Sequence, residues 1–303
     1  AGGVDAVAVT SAGERPLPES ADQLDDLSAE TLDGFGRATQ ILVGEIDGVE
    51  SLERGPTAYV EIGDNLVPGW SLSLLALCLL LPALAAAIDG CARASRREQH
   101  LGRGLAWAAA RAMPAIGALA ILYGLALVGV VPRPPFPFDP GLHPLGTRAV
   151  ISLVAIVGAA LASAVLLRLL RVAGPTAPPS AVAALGALTS AAAVILWLAN
   201  PYLALLATPV AHLWLLADAP PSRRRGVIVA VCAALASVPV IAALVSVAGA
   251  LDLGVDAPWT LTIMVADGQL GLAMTAASCF LIGGLLGTVA LSWSQRRDLP
   301  VAD

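Results

Sequence analysis

The chain is 303 residues long, 57% hydrophobic and only 13% charged, where soluble domains carry about 45–50% and about 25%. Those figures exclude disorder and an ordinary soluble enzyme, and 29 glycines with 22 prolines scattered without a three-residue period exclude a collagen. All 17 basic residues are arginine against 23 acidic ones, a net of −6, so chemistry that needs a lysine amine, a retinal Schiff base included, is out of reach.

Charge divides the chain near Val67. Residues 1–66 hold 14 acidic side chains and three arginines (Arg15, Arg37 and Arg54), a net of −11, whereas residues 67–303 hold nine acidic side chains and 14 arginines, a net of +5. In the first part Val4 to Thr10 predicts a short apolar strand, followed by a polar turn through Gly13 and Pro18. Leu32, Phe35, Ala38, Leu42 and Ile46 then recur at helical spacing, with Ser28 as N-cap and Glu30 in the first turn. Thr57 to Ile62 predicts a second short strand. One helix and two short strands cannot close a core without neighbours. The segment has neither an initiating methionine nor a basic-then-apolar leader, so the expectation is that it ends a larger extracytoplasmic α/β domain. Its acidic loop Asp22, Asp25 and Asp26 lacks the spacing and glycine of a calcium loop and reads as solvated surface.

After Val67 a bilayer core about 30 Å thick, which needs roughly 20 apolar residues, finds seven candidate spans. They run over 67–88, 105–131, 149–170, 180–199, 202–218, 226–250 and 270–293. The fold class expected is therefore a seven-helix membrane bundle (67–303) preceded by a small α/β remnant (1–66). Asn200-Pro201 reads as a tight turn between two antiparallel spans, because proline cannot continue the helix ladder. Pro132 to His143, rich in proline, reads as an extended loop over the outer face.

Arginine counts orient the bundle. Arg93, Arg96, Arg97, Arg103, Arg168, Arg171, Arg223, Arg224, Arg225, Arg296 and Arg297 fall in alternate connections and the tail, and only Arg133 and Arg148 in the others. The positive-inside rule then places residues 1–66 outside the cell membrane and the C-terminus in the cytoplasm. Trp70, Trp197, Trp259 and Trp293 fall near span ends as interfacial anchors. Gly283 with Gly287, and Ala155, Ala159 and Ser163, form small-residue stripes suited to helix contact. Cys78, Cys91, Cys232 and Cys279 show no paired spacing and read as buried small apolar residues.

Ionisable groups inside spans are the candidate functional residues, because each costs free energy unless it faces protein or water. His212 lies within the fifth span with Asp218 near its cytoplasmic end; Arg111 sits inside the second span, three residues before Pro114; Asn200 is at the fourth turn. Arg111 can snorkel beside Arg103 or pair with Asp218 or Asp89, and His212 can be a neutral imidazole bonded to a neighbouring helix. Three arginines, Arg223 to Arg225, fall short of the four to eight of a dedicated lipid site and read as topology determinants. His100, His143 and His212 lack an i+4 partner, and neither a phosphate-cradling glycine loop nor a G-x-S-x-G elbow is present.

The run Val4-Asp5-Ala6-Val7-Ala8-Val9-Thr10-Ser11-Ala12-Gly13-Glu14, then Ala21-Asp22 and the helix Leu27 to Gly48, resembles the end of a zinc-dependent exopeptidase domain of peptidase family M-28. Asp22 matches that family's loop aspartate; Pro18 stands where the family carries its zinc-binding histidine. Val67-Pro68-Gly69-Trp70, Asn200-Pro201-Tyr202, Pro209 and His212 to Leu216 are similar to the multi-span tail that follows such domains in some high-GC bacteria. The resemblance implies, for a complete family member, two zinc ions, a carboxylate base and an activated water, with no catalytic or metal ligand assignable in this chain. The leading expectation is the membrane-anchoring C-terminal region of an aminopeptidase-type protein, with the lipid bilayer and an upstream or separate peptidase domain as partners and no nucleic acid. Two alternatives stand beside it: a small-solute transporter or channel with His212, Asn200, Arg111 and Asp218 on a polar path, and a structural subunit that docks a partner through residues 1–66.

Overall fold

The computed structural model describes residues 28–47, 59–62, 65–134, 140–170, 178–218 and 224–297. The expected strand Val4 to Thr10, the acidic loop and Asp22 lie outside them. Helix α1 (Ala29–Asp47) begins after Ser28, whose carbonyl accepts the Leu32 N–H at 3.0 Å, with Glu30 in the first turn. Of its apolar stripe, Leu32 is 63% exposed and Phe35 and Leu42 are half-buried. A two-stranded antiparallel hairpin follows, β1 (Tyr59–Ile62) and β2 (Asn65–Pro68), with Val60 opposite Val67. The sequence began the first span at Val67; Val67 and Pro68 instead pair with β1, and the membrane helix starts at Gly69.

That helix, α2 (Gly69–Arg96), is followed by α3 (Leu101–Ala110), α4 (Met113–Leu127) and α5 (Thr147–Leu169). Then come α6 (Pro178–Ala199), α7 (Pro201–His212), α8 (Arg225–Ala250), α9 (Ala257–Ala266) and α10 (Leu272–Arg297). Helices α2, α5, α6, α8 and α10 are each long and apolar enough to cross a bilayer, and α3 with α4 forms a sixth candidate, bent by 49° at its break. The chain is thus a multi-pass helical membrane protein. Where the fifth span was expected the chain forms α7 continued by a 3-10 segment, Leu213–Asp218, and α7 is not among the helices long enough to cross. Residues 257–266, which the sequence left in a loop, form α9, and within the proline-rich loop Pro140–Leu142 is a 3-10 turn, not an extended strand. Residues 135–139 of that loop lie outside the described set.

The packing is inverted relative to a water-soluble domain. The interior is mostly alanine with small hydroxylated residues, including Ala76, Ala83, Ala181, Ala184, Ala204, Ala211 and Thr288, whereas α5 and α8 turn Val154, Leu161, Leu235 and Val245 outward at more than half exposure. Between helices in lipid the gain comes from close van der Waals contact, which small residues permit. Helix α6 is the centre, with 61% of its apolar window buried against 6% for α5. Several buried hydroxyls bond within their own helix, Thr189 to the Leu185 carbonyl at 2.7 Å, Thr208 to Ala204 at 3.0 Å and Thr288 to Gly284 at 2.8 Å, whereas those of Ser190 and Thr260 have no partner among the described residues.

The Gly283–Gly287 stripe and two residues of the α5 stripe are contact surfaces, whereas Ala155 is exposed. A Cβ on Gly283 would lie 2.7 Å from the backbone of Ala112, and one on Gly287 would lie 2.6 Å from Leu185, so α10 rests on the α3–α4 break and on α6. On α5, Ser163 and the Ala159 carbonyl close against Gly117 of α4. Of the tryptophans, Trp70 is 68% exposed as an anchor should be, but Trp259 is 3% exposed. Residues Leu122, Val131, Ala149 and Ile263 surround it, and α9, unforeseen in the sequence, carries it there. All four cysteines are free; Cys279 is buried, Cys91 and Cys232 are half-buried, and Cys78, on the outer face of α2, is exposed, contrary to the expectation of burial.

Candidate functional site

The four candidate polar residues are dispersed. Asn200 is the single residue between α6 and α7; its backbone is extended (φ −156°, ψ 100°) and its side-chain oxygen accepts the Leu203 N–H at 3.1 Å. It is an N-cap, with Pro201 at the first helical position where a missing N–H costs nothing. His212, at the other end of α7 about 18 Å away, has Nδ1 2.9 Å from the Thr208 carbonyl of its own helix. Its ring lines an apolar groove between α7 and α8 with Pro209, Cys232 and Leu235.

Arg111 sits at the break between α3 and α4. Pro114 has no N–H to offer the Ala110 carbonyl, and the turn before it tightens to i−3 bonds, Arg111 to Ala108 at 3.1 Å and Ala112 to Ala109 at 2.9 Å. The guanidinium carbon lies 4.8 Å from the Trp107 ring centroid, and Nε is buried with no acceptor. A charge acting on it is that of Arg168, at the end of α5. Neither carboxylate offered as a partner pairs with it among the described residues; Asp89 pairs with Arg93 instead, at 3.2 Å. Arg111 is therefore stacked on Trp107, with its aliphatic stem against Gly287 of α10.

Asp218 ends the 3-10 segment and borders a cavity of about 150 Å³ between the end of α2 and the start of α6, lined also by Arg93, Arg97, Gln99 and Trp214. Beside it Arg225, 5% exposed, donates to the Ala217 carbonyl and, at 3.1 Å, to that of Leu216. The arginine thus caps the last carbonyls of the segment, where a cation also complements the helix dipole. Arg133 does the same for α4, donating to Ala126 at 2.9 Å. The sequence had assigned these arginines to orientation alone. It had given Trp214 and Gln99 no role, and no spacing rule links residues from α2, a loop and the 3-10 segment.

The structure does not bring the candidates into one polar path. Asn200 and His212 are bonded to the backbone of α7, Arg111 stacks on Trp107, and Asp218, itself exposed, borders the open cavity at the end of α2. Among the described residues no three His, Cys, Asp or Glu side chains converge as a metal would need, and Asp22 lies outside them. No family model, no curated protein and no solved structure matches the sequence.

Proposed function

We propose that residues 67–303 are a seven-span membrane anchor that holds the acidic α/β segment 1–66 outside the cell membrane, with the C-terminus in the cytoplasm. The anchored object is read, from the resemblance of residues 4–48, as the closing part of a zinc exopeptidase-type domain. The observation that carries the anchor reading is the separation of the polar candidates, with Asn200 and His212 bonded to the α7 backbone and Arg111 stacked on the Trp107 ring, in a bundle closed by alanine and glycine. The half-exposed apolar stripe of α1 supports a role in which residues 1–66 complete a larger unit. The arginine asymmetry supports the orientation.

The anchor reading is tested by separating the parts. Residues 67–303 expressed alone should insert, remain monodisperse and unfold within about 2 °C of the full chain; a much lower midpoint would make 1–66 part of the bundle. Solute flux in proteoliposomes that is lost in Arg111→Gln or His212→Leu would overturn the anchor in favour of a transporter. One observation favours that second reading: the bent α3–α4 pair resembles the discontinuous helices that line solute sites.

A further inference from the structure

Helix α4 touches α10 where Ala112 meets Gly283, at the 49° break, and otherwise lies along α5, with Gly117 against Ser163. Past the Ala112–Gly283 contact a cleft of about 370 Å³ opens between α4 and α10. Ala115, Ala118 and Leu122 line one side, Met274, Cys279 and Ile282 the other. Thr275 and Ser278 line it as well, but their hydroxyls are bonded within α10, to the Gly271 carbonyl at 3.1 Å and the Met274 carbonyl at 2.8 Å. The walls therefore offer water almost no partner, and apolar spaces of this kind stay dry. From the level of Arg111 to Leu122 the helix rises about 16 Å, the depth of one leaflet of a hydrocarbon core about 30 Å thick. The cleft thus has the reach of one acyl chain.

Its mouth carries positive charge. Arg111 lies one turn before Ala115, with its stem against Gly287 of α10, so it flanks the cleft on the same two helices. Its Nε is enclosed, which leaves the terminal nitrogens to meet a ligand. The antiparallel register that sets Ser163 on Gly117 brings Arg168, five residues on, to the level of the break, where its charge acts on Arg111. Neither arginine makes an ion pair among the described residues, and the connection that follows, 171–177, contains no Asp or Glu and adds Arg171. Two neighbouring cations repel unless an anion lies between them, and a guanidinium matches phosphate geometry. A headgroup ammonium would add a third positive charge. This is the arginine-rich end of the bundle, at headgroup depth. We propose that the cleft holds one acyl chain of a phospholipid with a net negative headgroup, whose phosphate is bridged by Arg111 and Arg168.

Phosphatidylglycerol and phosphatidylcholine with identical acyl chains share the phosphate and differ in net charge. Native mass spectrometry of the delipidated full chain should show phosphatidylglycerol retained about tenfold over phosphatidylcholine. Arg111→Gln should bring it down to the phosphatidylcholine level, and so should Arg168→Gln, whose exposed site leaves the fold undisturbed. Ala118→Phe fills the cleft from α4 and Ser278→Leu from α10; each should lower retention of both lipids severalfold and keep their ratio. Equal retention of the two lipids by the unaltered chain, or an unchanged preference in both arginine variants, would overturn the headgroup assignment and the proposal with it. Unchanged retention in both cleft variants would place the lipid on the arginines alone, leave the cleft to a second copy of the chain or to bulk lipid, and overturn the acyl-chain site.

Discussion

Single arginines in this bundle do structural work that charge counting does not reveal. Arg225 satisfies two carbonyls at the end of the 3-10 segment while its own side chain is almost wholly buried. Replacing it with methionine keeps the apolar stem but leaves both carbonyls without a donor. Arg225→Met should therefore lower stability by about 1–3 kcal/mol, read as a loss in thermal or denaturant unfolding of the purified chain. Arg225→Lys should lose less, since one ammonium still reaches a carbonyl but cannot fork across two. Asn200→Ala removes the cap of α7 and should lose about 1 kcal/mol by the same measurement. An unchanged midpoint would show that the single-residue turn is held by Pro201 and packing alone.

Among the elements, what the sequence made legible were those whose signal is local. Asn200-Pro201 announced a turn, Gly283 and Gly287 a contact face, Ser28 and Glu30 a helix start, and each stands where expected. What was not legible depends on tertiary position. Pro114 marks a helix break, but that α10 closes on that break is set by a helix some 170 residues downstream. Helix α9 is too short to register as a span and takes its helical form with Trp259 buried against α4 and α5. The cavity beside Asp218 joins residues from three separate parts of the chain and leaves no periodic trace. The α10 contact gives a sharp comparison. Gly283→Ala puts a methyl within 2.7 Å of the Ala112 backbone, which cannot rotate away, and should destabilise by about 1–3 kcal/mol. Gly158→Ala on α5, with nothing within 4 Å of the new Cβ, should be neutral or stabilising within about 1 kcal/mol. Equal effects at the two sites would show that α10 does not rest on the break.

At the scale of the whole molecule, the sidedness of both termini depends on one short element. Helix α7 supplies 12 residues and the 3-10 segment six. At about 1.5 Å per residue in the first and about 2.0 Å in the second they reach roughly 30 Å together, the thickness of the hydrocarbon core. The 3-10 winding thus lengthens a segment that would fall short as a plain α-helix, and Arg225 holds its last carbonyls at the arginine-rich end. With α7 crossing, the spans number seven and the segment 1–66 lies opposite the C-terminus. Without it they number six and both lie on the same side. Reporter fusions active on only one face of the membrane distinguish these outcomes when placed after Leu253 and after Asp303. An extracytoplasmic signal at the first site and a cytoplasmic one at the second are expected for the seven-span orientation. Shortening the segment by deleting Leu215 and Leu216 should then mix the two signals, because about 4 Å of reach is lost and Arg225 no longer meets its carbonyls. A clean, unchanged pattern in the deletion would mean that the remaining helices set the orientation without help from the 3-10 segment.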